Sequence, residues 1–70
     1  MMNAMELDFY EAGIKDAYKS RCIVVAACSE RYAILSKKYN LRIGKQSVQC
    51  VKAYNNGVAY EINRQTKLEV

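Results

Sequence analysis

The 70-residue chain contains no histidine, no proline and no tryptophan, and it has only three glycines. Without histidine, the Cys-His and Ser-His nucleophile pairs of many hydrolases cannot form. The three cysteines, Cys22, Cys28 and Cys50, include no CxxC pair, so they do not match the spacing of a structural zinc site. No apolar run approaches the roughly 18 residues of a membrane span. We therefore expect no cofactor, no metal site and no membrane association.

The composition is that of a small globular protein. Apolar residues make up 51% of the chain and charged residues 26%, which predicts a folded single domain over residues 1–70. We expect residues 1–5 to form a disordered tail and residues 65–70 a frayed end. The odd cysteine count, with no signal peptide, predicts a cytoplasmic protein. The net charge of +4 favours partners such as nucleic acid or an acidic protein surface.

The stretch KAYNNGVAYEI, residues 52–62, predicts a β-hairpin. Asn56 and Gly57 tolerate the positive φ angles of a type I′ turn, which joins two antiparallel strands. Counting outward from that turn places Lys52 directly opposite Glu61, a favourable cross-strand pair. The same register gives one apolar face: Val51, Ala53, Tyr60 and Ile62. The predicted strands cover residues 47–54 and 58–64.

A strand followed by a helix is predicted upstream of this hairpin. The run CIVVAAC, residues 22–28, is rich in β-branched side chains that favour a strand. Ser29 can cap the following helix, and Asn40 can end it. Four side chains then fall on one side of that helix: Cys28, Tyr32, Leu35 and Tyr39.

The N-terminal third fits two patterns. Alternation of apolar and polar residues predicts a strand over residues 7–16 that pairs with residues 21–27. A spacing of three and four fits a helix equally well, although Gly13 in its interior costs about 1 kcal/mol. We favour the strand, which gives an α+β fold of ββαββ order, with a four-stranded antiparallel sheet and one helix on one face.

The strand ending VVAAC, the helix SERYAILSKKYN and the hairpin VQCVKAYNNGVAYEIN together resemble small ββαββ proteins that bacteriophages use against host defences. The similar families are the type I-F anti-CRISPR proteins and the Dmd-like phage antitoxins. The resemblance implies an inhibitor of a host protein or ribonucleoprotein complex, in which Arg31, Lys37 and Lys38 occupy a nucleic-acid path. The chain departs from these families in its tyrosine content and in its longer loop after the helix.

An alternative interpretation is a helix-turn-helix within residues 33–54, which would make the chain a direct nucleic-acid-binding regulator. In that case QSVQCVKAY is the recognition helix that enters the major groove. The segment between Asn40 and Val48 is about two residues longer than the tight turn of this motif allows. The same residues also form the predicted hairpin, so we place this alternative second.

Four carboxylates, Glu6, Asp8, Glu11 and Asp16, lie near the N-terminus, where paired acids can act as acid and base or hold a metal. We interpret them as a solvated acidic stretch, and we expect no enzymatic activity.

The remaining features indicate a binding protein. Five basic residues fall within fifteen positions, and the hairpin adds a lysine and a tyrosine on its outer face. Tyrosine suits an interface because it buries a large area and keeps a hydroxyl for a partner. The predicted partner-binding residues are Arg31, Lys37, Lys38, Arg42, Lys45, Lys52 and Tyr54. We expect a monomer or a homodimer that acts by covering a functional surface of a host macromolecule.

Overall fold

The structure, a computed structural model, describes residues 2–41 and 44–69, with the backbone alone described at Lys45, Leu68 and Glu69. The regular structure in this part of the chain is all helical: α1 spans Ala4–Ser20, a short 3-10 turn spans Ala26–Cys28, α2 spans Glu30–Lys38 and α3 spans Lys45–Glu69. The described residues contain no strand. The predicted ββαββ sheet is therefore wrong, and the fold is a bundle of three helices.

The three helices run up, down and up. Met5, near the start of α1, meets Gln46 near the start of α3, and the carbonyl of Ala17 accepts a hydrogen bond from Gln65 at the other end. Helices α1 and α3 are therefore parallel. Helix α2 runs antiparallel to α1, because Ser29 before α2 bonds Asp16 late in α1, while Tyr39 after α2 bonds Asp8.

The first helix begins at a capping box. The Asn3 side chain accepts a hydrogen bond from the Glu6 amide at 2.8 Å, and the Glu6 carboxylate accepts one from the Asn3 amide at 3.1 Å. Two amides that have no partner inside the helix are satisfied in this way. The predicted strand over residues 7–16 is therefore wrong, and the helical alternative describes this segment.

The predicted hairpin is instead the middle of α3. Gly57 does not form a turn: a Cβ at this position would lie 2.0 Å from the carbonyl oxygen of Tyr10 on α1. Gly13 is its counterpart on α1, where a Cβ would lie 2.2 Å from the carbonyl oxygen of Tyr54. Both glycines therefore allow the two helix backbones to come closer than any larger side chain permits.

The core lies between α1 and α3, with α2 closing one side. Its aromatic part is a chain of ring contacts: Phe9 lies 5.1 Å from Tyr32, and Tyr32 packs edge-on against Tyr54 at 5.7 Å. Edge-to-face and tilted pairs at these distances are favourable. The buried apolar residues are Phe9, Ala12, Ala17, Ala26, Cys50, Ala53, Tyr54 and Val58.

The predicted strand over residues 22–28 is wrong, because the segment after α1 contains no strand. Arg21 ends α1 with a positive φ of 58°, and residues 23–25 then run without regular secondary structure to the 3-10 turn. Ser29 caps α2 by accepting a hydrogen bond from the Tyr32 amide at 3.1 Å, which confirms that predicted cap. The ends of the chain also differ from expectation, because α1 includes residues 4–5 and α3 includes residues 65–69.

Candidate functional site

The exposed side of α3 carries a continuous row of polar side chains, here called the α3 polar stripe. Its spacing along the helix is three, four, four, three and four residues, so all six members lie on one face. All six side chains are exposed. The α3 polar stripe consists of Gln49, Lys52, Asn56, Tyr60, Asn63 and Lys67.

The α3 polar stripe carries two positive charges and no carboxylate, and no acidic residue occurs between positions 45 and 60. Glu61 is not a member of the stripe, because it is buried, with only 2% of the residue exposed. Arg64 donates two hydrogen bonds to the Glu61 carboxylate, at 3.0 and 2.7 Å, and Gln65 donates another at 3.0 Å. The Arg64 guanidinium holds the pKa of Glu61 below its usual value.

An exposed aromatic ring lies within the stripe. The Tyr60 side chain is 53% exposed, and its ring centroid lies 6.3 Å from that of Tyr10 on α1. Contact with Tyr10 restricts the ring while one side of it stays accessible. A shallow groove of about 290 Å³ continues from Tyr60 past Asn63 and Arg64 to Lys67. The C-terminal half of the stripe thus combines an aromatic face, an amide and one lysine, with Arg64 beside it.

The best-organised polar cluster lies between the helices and centres on Asp16. Its carboxylate accepts hydrogen bonds from the hydroxyls of Ser29 and Tyr54, each at 2.5 Å, and forms a salt bridge with Arg31 at 2.9 Å. Burial of the phenol and its hydrogen bond to Asp16 raise the pKa of Tyr54 to about 12. The cluster joins all three helices, and its polar groups bond to one another.

A groove of about 590 Å³ runs beside this cluster, between α1 and α2. Asp16, Ser29 and Arg31 form part of its wall, but their polar atoms already bond within the protein. Cys28 and Lys19 also line it. On this side of the groove, the Asp16 carboxylate is bonded to the Ser29 hydroxyl and the Arg31 guanidinium.

The other N-terminal carboxylates support the structure rather than a joint site. Glu6 belongs to the capping box, and Asp8 accepts a hydrogen bond from the Tyr39 hydroxyl. That hydrogen bond raises the pKa of Tyr39. Burial likewise raises the pKa of the Cys50 thiol. Within the described ranges, no three Cys, Asp or Glu side chains cluster closely enough to hold a metal ion.

Of the five basic residues that the sequence predicted as one patch, the structure describes the side chains of three, and Arg31 and Lys38 among them line one groove of about 290 Å³. Arg31 faces the Asp16 carboxylate, so its charge is largely compensated. Lys37 and Lys38 are exposed in the last turn of α2, where Lys38 lies 5.3 Å from the centre of the Tyr39 ring. Arg42 and the side chain of Lys45 lie outside the described residues.

The two predicted site residues of α3 whose side chains are described differ in exposure. Lys52 is exposed and belongs to the α3 polar stripe. Tyr54 is fully buried, so the prediction that it faces a partner is wrong. The reason is the change from strand to helix: Lys52 and Tyr54 share a face in a strand, whereas two residues apart on a helix point in different directions.

Sequence reasoning missed the other five members of the α3 polar stripe, because four of them were assigned to a hairpin and Lys67 to a frayed end. The signal was present as Gln, Lys, Asn, Tyr, Asn and Lys at helical spacing, without an acidic residue among them. A helical-wheel count over residues 45–67 would have found it.

No described helix is both long enough and apolar enough to cross a membrane. Comparison with protein-family models, with curated proteins and with solved structures finds no match for this chain.

Proposed function

We propose that the chain is a small, non-enzymatic protein that binds nucleic acid through the α3 polar stripe. The observation that carries this proposal is the composition of that stripe: two lysines, three side-chain amides and a tyrosine on one exposed helix face. Lysine neutralises phosphates, amide side chains bond base edges, and tyrosine stacks on bases. All three types of contact are available on a single rigid element.

The dimensions of α3 suit a duplex groove. At 1.5 Å per residue, the 25-residue helix is roughly 37 Å long, and the stripe covers about 27 Å of it. The major groove of B-DNA, about 12 Å wide, admits an α-helix. Asn and Gln bond adenine in that groove, while the lysines reach the flanking phosphates. This mode differs from the tight helix-turn-helix predicted around residues 33–54, because six residues, 39–44, separate α2 from α3.

A second candidate is a protein that inhibits a host defence complex, the function expected from the resemblance to phage proteins. The ββαββ fold that the resemblance implied is absent, so this candidate depends on surface chemistry alone. The observation in its favour is that two tyrosines, Tyr18 and Tyr60, are more than half exposed. Tyrosine is enriched at the centres of protein interfaces. Either function places the chain in the cytoplasm, as its cysteine content predicts.

The test is fluorescence anisotropy with short labelled duplex DNA, single-stranded DNA and RNA at about 50 and 200 mM salt. The key variant is the double substitution Lys52→Ala with Lys67→Ala. The matched control is Lys37→Ala with Lys38→Ala, which removes the same charge from another exposed surface. We expect the stripe variant to bind roughly tenfold or more weakly, and to lower the salt slope by about two.

Three results would contradict the proposal or redirect it. Equal losses in both double variants would mean that binding follows net charge rather than the stripe. A larger loss in the Lys37 and Lys38 variant would move the site to the end of α2. Absence of binding to every nucleic acid at low salt would reject the stripe as a nucleic-acid surface and favour the second candidate.

Asn56→Ala separates base contacts from phosphate contacts. Asn56 lies in the middle of the stripe and carries no charge, so its loss should leave the salt slope unchanged. We expect it to reduce the preference among duplexes of different sequence. An unchanged preference would show that the stripe contacts only the backbone of the nucleic acid.

A further inference from the structure

A second surface borders the α3 polar stripe and shares Asn63 with it. A groove of about 280 Å³ lies where the segment after α1 crosses α3, and it is here called the apolar groove. No charged side chain is among the described residues that line it. These residues are Ile23, Val24, Asn55, Val58, Ala59, Ile62 and Asn63.

The rim of the apolar groove carries the most exposed large apolar side chain described in the protein. Ile23 is 75% exposed, and Val25 beside it is 59% exposed. Large apolar side chains grouped in this way on a soluble protein mark an interaction site. A protruding isoleucine next to an apolar groove gives one surface both a projecting and a receiving part.

Part of the backbone of this segment also lacks hydrogen-bond partners among the described residues. Val25 has extended dihedral angles, and no hydrogen bond joins the backbone groups of Ile23 or Val24 to other described residues. Unpaired N–H and C=O groups on an extended apolar segment readily pair with another chain. The exposed side chains of Ile23 and Val25 thus lie on a segment whose backbone is unpaired at Ile23 and Val24, while the Val25 carbonyl accepts a hydrogen bond from the Cys28 amide.

We propose that the apolar groove is a homodimer interface, in which Ile23 of each copy enters the groove of the other. Two copies related by a twofold axis exchange identical surfaces, and this one contains both the inserted residue and its receptor. The charge distribution is compatible with a second copy as the occupant. Each chain carries a net charge of +4, and an uncharged face lets two such chains meet without like charges facing each other across the contact.

The small core gives the second copy a role in stability. Eight apolar residues are buried among those described, and four of them are alanines. Domains near this size commonly gain stability through association. Burial of Ile23, Val25 and the groove against a second copy adds apolar contact that one chain does not provide. This proposal does not depend on nucleic-acid binding and is tested without any nucleic acid.

The test is sedimentation equilibrium of the protein from about 1 to 200 µM, with a reductant present to keep exposed Cys22 and Cys28 from cross-linking. The variant is Ile23→Asp, which places a charge in the interface. The matched control is Ile34→Asp on α2, because Ile34 is 66% exposed and lies outside the apolar groove. Neither side chain belongs to the buried core, and circular dichroism checks that both variants are folded.

We expect the native chain and Ile34→Asp to approach the mass of two chains, and Ile23→Asp to dissociate at least tenfold more readily. The melting temperature should rise with concentration for the first two proteins and not for the third. A native chain that stays monomeric throughout this range would overturn the proposal. So would a dimer that Ile23→Asp leaves intact, since the contact would then lie on another face.

Discussion

Gly13 and Gly57 lie across the α1–α3 contact from each other, and each faces a backbone carbonyl of the opposite helix. Gly13 lies against Tyr54, and Gly57 lies against Tyr10. The two contacts are reciprocal. Tyr54 lies three residues before Gly57, and Tyr10 lies three residues before Gly13. The spacing between the two parallel helices is therefore set by backbone atoms.

Gly57→Ala should destabilise the protein by about 2 kcal/mol or more, since the added Cβ would lie 2.0 Å from a carbonyl oxygen of α1. The gain of roughly 1 kcal/mol in helix propensity does not offset that overlap. Chemical denaturation measures the loss. Asn56→Ala is the matched control, because Asn56 is exposed and its replacement should change stability by about 0.5 kcal/mol or less. A hairpin turn would instead make Asn56→Ala the damaging change.

Asp16→Ala should cost about 2–4 kcal/mol, since it leaves the Tyr54 and Ser29 hydroxyls without their acceptor. Arg31→Ala removes only the half-exposed partner of the same carboxylate and should cost about 1 kcal/mol or less. Urea denaturation of the two variants gives the comparison. Equal losses would show that the salt bridge, rather than the two hydroxyls, is the main contribution of the cluster.

Tyr54 should make the protein sensitive to alkali. Its folded pKa of about 12 lies above the ordinary tyrosine value of about 10, so the folded state favours the neutral phenol. The stability from this difference is complete below pH 10 and is lost as the pH rises toward 12. Urea midpoints measured across this range should fall, and they should fall less for Tyr54→Phe. The same slope in both proteins would contradict the assignment.

Glu61 should contribute the opposite pH dependence. Its pKa is lowered in the folded state by Arg64, so the pair stabilises the protein at pH values above the ordinary glutamate pKa of about 4.3. That contribution is lost as the pH falls through the lowered folded value. When the pH is lowered from neutral to about 2, the urea midpoint should fall less for Glu61→Gln than for the native chain. Parallel curves would show that the pair adds nothing.

The part of the fold that could be predicted from the sequence is the part fixed by local chemistry. Ser29 can accept a hydrogen bond from an amide in the first turn of a helix, and a strand has no such free amides. Helix α2 was therefore predicted correctly. The capping box of Asn3 and Glu6 likewise fixes the start of α1 by local chemistry, although the alternation of residues 7–16 favoured a strand there.

The hairpin was predicted from the pair Asn56-Gly57, but the conformation of this pair depends on contacts with residues more than forty positions earlier in the chain. Glycine serves equally in a positive-φ turn and at a close helix crossing, and only the presence of Gly13 on α1 decides between them. The alternation of apolar residues in this short window also fits the helical period. Tyr54 was misplaced for that reason, whereas Lys52 is exposed in either conformation.

The parallel pairing of α1 with α3 has a consequence for biosynthesis. Gly13 meets Tyr54, so the first helix leaves the ribosome more than forty residues before the surface that covers it has been made. At about 5–20 residues per second, that interval lasts on the order of 2–8 s. During it, the apolar side of α1 is exposed except for its contacts with the short α2. Slow codons between positions 20 and 45 would therefore lengthen exposure, and fast ones would shorten it.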